Sequence, residues 1–92
     1  MNDKNEKNQT NIQVTVTFPL AAKPFHGDYA LTTSVGQVRS GAMADFGAAE
    51  EPNSVYYLTH GGDRLPDERA LGEVADHARG LKFRLVKELV QG

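Results

Sequence analysis

Ile12, Val14, Val16 and Phe18 alternate with Gln13, Thr15 and Thr17, the two-residue period of a strand that buries one face. Pro19 ends that run, and Leu20 to Pro24 reads as a turn. A weaker strand is expected within Phe25 to Leu31, interrupted at Gly27-Asp28, with a hairpin as the simplest connection. The period then changes. Val35, Val38, Ala42 and Phe46 step by three or four, which marks one apolar face of a helix. Ser34 and Gln37 have the spacing of a capping box at its start, and Gly47 lies where a C-terminal cap belongs. Gly36 and Gly41 each weaken such a helix by up to about 1 kcal/mol relative to Ala, so packing on a sheet must supply its stability.

After a loop over Ala48 to Asn53, Val55 to His60 predicts a third strand, followed by a tight turn at Gly61-Gly62-Asp63. Arg64-Leu65 is expected to form a very short strand that Pro66 stops, and Leu71 and Val74 to anchor a short helical turn. Leu81, Phe83 and Leu85 recur at every second residue and predict a closing strand that runs almost directly into Leu89-Val90-Gln91-Gly92. The economical packing of this order is one main helix across one face of a mixed four- or five-stranded sheet, an α+β domain.

Composition narrows the chemistry. The chain has 92 residues and no cysteine, so it carries neither a disulfide framework nor a thiol of its own for acyl transfer. Ten Lys and Arg against twelve Asp and Glu give a formal charge of −2, which argues against a general nucleic-acid binder. No apolar run has the length of a membrane span, and the opening MNDKNEKNQTN lacks the apolar core of a signal peptide, so a cytoplasmic location is expected. Residues 1–11 are polar enough to be read as a disordered arm, 12–88 as the folded domain and 89–92 as an extended tail. His26, His60 and His77 fall in separate elements without metal-ligand spacing, and Asp67, Glu68 and Glu73 suit turn and cap roles, so neither a metal site nor a catalytic group is expected.

The stretch Tyr56 to Gly92 resembles the ubiquitin family and the wider β-grasp superfamily. Leu65, Asp67, Arg69 and Leu71 match the family's central pattern in register. The spacing from Phe83 to the terminal glycine also matches, once one extra residue is allowed between Leu71 and Phe83. Val35, Val38 and Ala42 have the family's three-then-four helix spacing. The chain departs from ubiquitin in ending Gln91-Gly92 rather than in two glycines, in placing Thr59 at the exposed isoleucine of the recognition patch, and in placing Asp63 at the lysine of the glycine turn. These departures suggest a bacterial ubiquitin-like protein.

The resemblance implies a ubiquitin-like β-grasp fold and a substrate rather than an enzyme. Gly92 would be the conjugated residue, with Leu89, Val90 and Gln91 threaded through the channel of an ATP-dependent activating enzyme. ATP would be used by that enzyme and not bound by this chain, which needs no cofactor. Conjugating-like enzymes, a JAB-type protease and target proteins would be the partners of a monomeric modifier. Strand alternation turns Tyr57 and Thr59 outward beside Arg84 and Val86, and Leu20 in the first turn is placed to flank them as a partner-binding face. Two alternatives stand beside conjugation: a non-conjugated binding module that docks through this face, and a sulfur carrier with Gly92 as thiocarboxylate.

Overall fold

The computed structural model describes residues 10–90. The expected arm up to residue 9, and Gln91 and Gly92, lie outside the described residues. Among the described residues, five strands and two helices follow one another: β1 (Asn11–Thr17), β2 (Phe25–Ala30), α1 (Val35–Phe46), β3 (Ser54–His60), β4 (Asp63–Arg64), α2 (Leu71–Ala75) and β5 (Gly80–Leu89). The strands form one mixed sheet in the order β2-β1-β5-β3-β4. Only the central pair, β1 and β5, is parallel.

Alternation puts Ile12, Val14 and Val16 of β1, Tyr56 and Leu58 of β3, and Leu81, Phe83 and Leu85 of β5 on one face, all buried. Val35, Val38, Ala42 and Met43 of α1 close over that face, and Leu65, Leu71 and Ala75 seal its end. Phe46 fills the flank, with its ring centroid 5.3 Å from Phe18 and 6.5 Å from Phe25.

The helix is held at both ends. Ser34 Oγ accepts from the Gln37 amide at 3.2 Å, while Gln37 Oε1 accepts from the Ser34 amide at 3.3 Å, the reciprocal pair that the spacing predicts. Gly47 takes φ 74°, and the amides of Gly47 and Ala48 close the last turn on Ala44 and Met43. A backbone clamp extends the start of α1. Amides of Val35 and Gly36 donate to the carbonyls of Arg69 and Asp67, and those of Leu71 and Gly72 donate to Thr33 and Leu31. Gly36 suits the close approach there, because a Cβ would stand 3.0 Å from the Asp67 Cβ and the clamp would have to give by a few tenths of an ångström.

Four expectations need correction. β2 runs unbroken through Gly27-Asp28, opposite Val14 and Gln13. The Tyr29 ring folds back over Gly27, within 2.5 Å of where a Cβ would be, and its hydroxyl reaches 2.9 Å from the same position on Gly41. One half-buried ring therefore accounts for a glycine in the strand and a glycine in the helix, and its partial burial raises the Tyr29 hydroxyl pKa above its ordinary value. The short strand is Asp63–Arg64, because Leu65 turns into the core, its amide donating to the Leu58 carbonyl. β1 opens at Asn11, opposite Ala30, one residue inside the expected arm. β5 reaches Leu89, opposite Ser54, so the first residue of the expected tail belongs to the sheet.

Candidate docking face and tail

The antiparallel register of β3 and β5 sets Tyr57 opposite Val86 and Thr59 opposite Arg84. The parallel register of β1 and β5 sets Thr17 on the other side of Arg84. Arg84 thus stands in a row between two threonines on the face turned away from α1. Thr17 Oγ1 is held by the Phe83 carbonyl at 3.4 Å. Beside this row lies a groove of 590 Å³ lined by Leu20, Thr59, Arg84, Val86, Lys87 and Leu89, among others. Leu20 and Leu89 are each 75% exposed, two of the large apolar side chains left in solvent. Four of the five residues expected on the partner-binding face therefore meet at one groove.

Tyr57 is placed differently. It lies on the same sheet face, but Arg64 sits 4.2 Å above its ring centroid, and it lines a separate concavity of 550 Å³ with Leu65 and Pro66. The expected aromatic anchor is covered by a guanidinium, and the apolar character of the groove comes from Leu20, Val86 and Leu89.

Leu89 was expected in the tail, and the structure brings it to the docking groove. Pairing continues one step further, where the Val90 amide donates to the Asn53 carbonyl at 2.8 Å. The loop before β3 grips this end of β5 a second time. Glu51 Oε1 accepts from Ser54 Oγ at 3.1 Å and lies 3.4 Å from Lys87 Nζ. Hydrogen bonding to Glu51 and its negative charge raise the Lys87 pKa.

Arg39 has a role that no sequence pattern signals. Its guanidinium makes a two-pronged contact with Asp67, at 3.1 and 2.9 Å, and a third with Glu50 at 2.9 Å. The hydrogen bond to Asp67 is the main cause of a raised Arg39 pKa, opposed by partial burial. Asp67, expected only to shape a turn, ties α1 to the chain after β4. An Arg and an Asp on separate elements carry no local pattern that would have revealed the pair. Among the described residues, no group of three or more His, Cys, Asp or Glu is placed to hold a metal ion, and no helix is long and apolar enough to cross a membrane.

No protein-family model and no curated protein sequence matches the chain. Solved structures do match. The ubiquitin of Caldiarchaeum subterraneum is similar with a TM-score of 0.68 and 25% identity, over 89% of this chain and 99% of that one. A protein designed on the basis of ubiquitin gives a TM-score of 0.69 at 11% identity, over 88% and 93%. A structure described as molecular mimicry of SUMO that promotes DNA repair gives 0.68 at 8% identity, over 86% and 94%. The sheet order, the single main helix and these likenesses agree: the chain has the ubiquitin-like β-grasp fold.

Proposed function

We propose that this protein is a bacterial ubiquitin-like modifier, activated at Gly92 by an ATP-dependent enzyme and conjugated to amines of target proteins. The observation that carries the reading is the likeness to a ubiquitin over 89% of this chain and 99% of that one. A carboxylate resists nucleophiles until ATP converts it to an acyl-adenylate with loss of pyrophosphate. A partner's cysteine thiolate then displaces AMP to form a thioester, and a lysine amine displaces the thiol to form an amide. This chain supplies the acyl group and the surfaces that partners hold; the nucleophiles belong to the activating and conjugating-like enzymes, and a JAB-type protease would reverse the bond. Leu89, Val90 and Gln91 are the residues read in the enzyme channel.

A second reading, a binding module that docks without conjugation, is favoured by the Val90–Asn53 hydrogen bond, which ties the root of the tail to the sheet. The two are separated by expressing the tagged chain among its gene neighbours beside a Gly92-deleted version. Denatured pull-downs digested with trypsin should yield lysines bearing Glu88-Leu89-Val90-Gln91-Gly92, absent from the deletion strain. Their absence with the partner enzymes active rejects conjugation and leaves the docking module.

A further inference from the structure

We propose that β2 is a self-recognition edge, through which two copies of this chain pair antiparallel about Gly27 into one continuous sheet. The inference goes beyond the modifier reading and holds whether or not Gly92 is conjugated.

β2 stands at one end of the strand order, with β1 on one side and no described strand on the other. β4, at the opposite end, is two residues long and offers almost no edge. The register shows which backbone groups of β2 are open. The Leu31 amide donates to the Thr10 carbonyl at 2.9 Å, one step beyond the pair Asn11 and Ala30. Antiparallel bonding alternates, so Tyr29, Gly27 and Phe25 also turn their backbone groups to β1. His26, Asp28 and Ala30 turn theirs outward. Of these outward groups only the Ala30 carbonyl has a partner among the described residues, the Thr33 amide at 2.9 Å. No proline or lysine within β2 blunts this edge, so its open groups can receive a further strand.

The residues of β2 fit a second copy of themselves. Because the outward groups belong to alternate residues, a two-fold axis can fall at His26, Gly27 or Asp28. An axis at Asp28 sets two carboxylates directly opposite each other. An axis at His26 sets imidazole against imidazole and leaves Ala30 beyond the pairing. An axis at Gly27 sets His26 of each copy opposite Asp28 of the other, a donor against a carboxylate twice over. Among the described residues neither side chain has an ion-pair partner within its own copy. Thr15 Oγ1, 3.2 Å from His26 Nδ1, holds the ring on the outer face. Ala30 then faces Pro24. Its amide finds the Pro24 carbonyl, while its own carbonyl, already held by Thr33, faces a residue with no N–H. About six backbone hydrogen bonds close the seam. At the axis the two Gly27 backbones meet without side chains between them. On the helix side Phe25 of one copy stands opposite Tyr29 of the other, both half-buried in a single chain. A seam of six residues on each side is small, so the dimer belongs to the weak class of interfaces.

The test follows the full chain by sedimentation and by backbone amide shifts from about 10 μM to about 2 mM, the range of weak affinities. The apparent mass should rise toward that of a dimer, with shifts at His26, Asp28 and Ala30. Mixed labelled and unlabelled chain should show a contact between the Gly27 α-hydrogens of two copies. D28P removes an N–H that points away from β1, so it should weaken association at least about tenfold and leave the monomer folded. H26K/D28K sets lysine against lysine, and H26D sets aspartate against aspartate. Each alone should weaken association at least about tenfold, with a thermal melt close to that of the parent. An equimolar mixture of the two should recover to within about threefold of the parent affinity. A mass that stays monomeric to about 2 mM overturns the proposal and leaves the edge to a strand of a different protein. Shifts confined to Leu20 and Leu89, or a folded mixture that fails to recover, would overturn it equally. None of these readouts depends on Gly92, so loss of the branched tryptic peptides rejects conjugation without touching this result.

Discussion

Phe83 and Arg84 are adjacent in one strand and belong to different problems. Phe83 is shut between the sheet and the helix, and Arg84 stands in solvent between Thr17 and Thr59. The same division runs along β3, where Tyr56 and Leu58 pack inward while Tyr57 and Thr59 face out. The inner face is apolar and has few alternatives, because every side chain there touches others that fix its size. The outer face is polar and basic, and little in the fold depends on which polar residue occupies each place. A strand's two-residue period lets stability and recognition be encoded in the same ten residues without competing.

The comparison breaks most readily at its inner side. Phe83→Ala should cost about 3–5 kcal/mol in urea unfolding, enough to remove a large part of a small domain's stability. A loss below about 1 kcal/mol would mean that the two faces are less distinct than the burial implies. Next in size is Ser34→Ala, which removes one half of the reciprocal cap and should lower stability by about 1 kcal/mol, read from the denaturation midpoint. A comparable loss of helical signal before global melting would locate the weakness in α1. Smaller still is His77→Gly. Asp76 and His77 occupy successive left-handed conformations, at φ 48° and 76°, after α2. Glycine should relieve the second and raise the melting temperature slightly, by about 0.5 kcal/mol of stability. The outer face sets the lower limit: Arg84→Ala and Lys82→Ala should each change stability by no more than about 0.5 kcal/mol in the same urea unfolding.

The sequence made the inner face legible because burial imposes a period. The alternation in β1 and β5 and the three-and-four stepping of α1 follow from which side chains must leave water. The caps were legible too, since Ser34, Gln37 and Gly47 act within one turn of chain. What stayed hidden depends on residues far apart in sequence. Gly27 and Asp28 read as an interruption because the ring that fills the space over Gly27 belongs to Tyr29, whose rotamer no pattern specifies. Arg39 and Asp67 are 28 residues apart and carry no mutual signal. For the candidate site, alternation placed Tyr57, Thr59, Arg84 and Val86 on one face. It did not show that Arg64 covers Tyr57, or that Leu89 lines the same groove as Leu20.

The parallel pairing of β1 with β5 has a mechanical consequence. These strands come from opposite ends of the described chain and lie side by side at the centre of the sheet, Gln13 beside Gly80 through Thr17 beside Arg84. Tension applied between the two ends pulls them past each other along their length, so their hydrogen bonds are loaded together rather than one after another. Pulling between the β1–β2 turn and the end of β5, which lie at the same end of the sheet, would instead peel β1 from β5 one hydrogen bond at a time. A machine that unravels this protein for degradation or transport should therefore meet a stiffer or a softer domain according to where it takes hold.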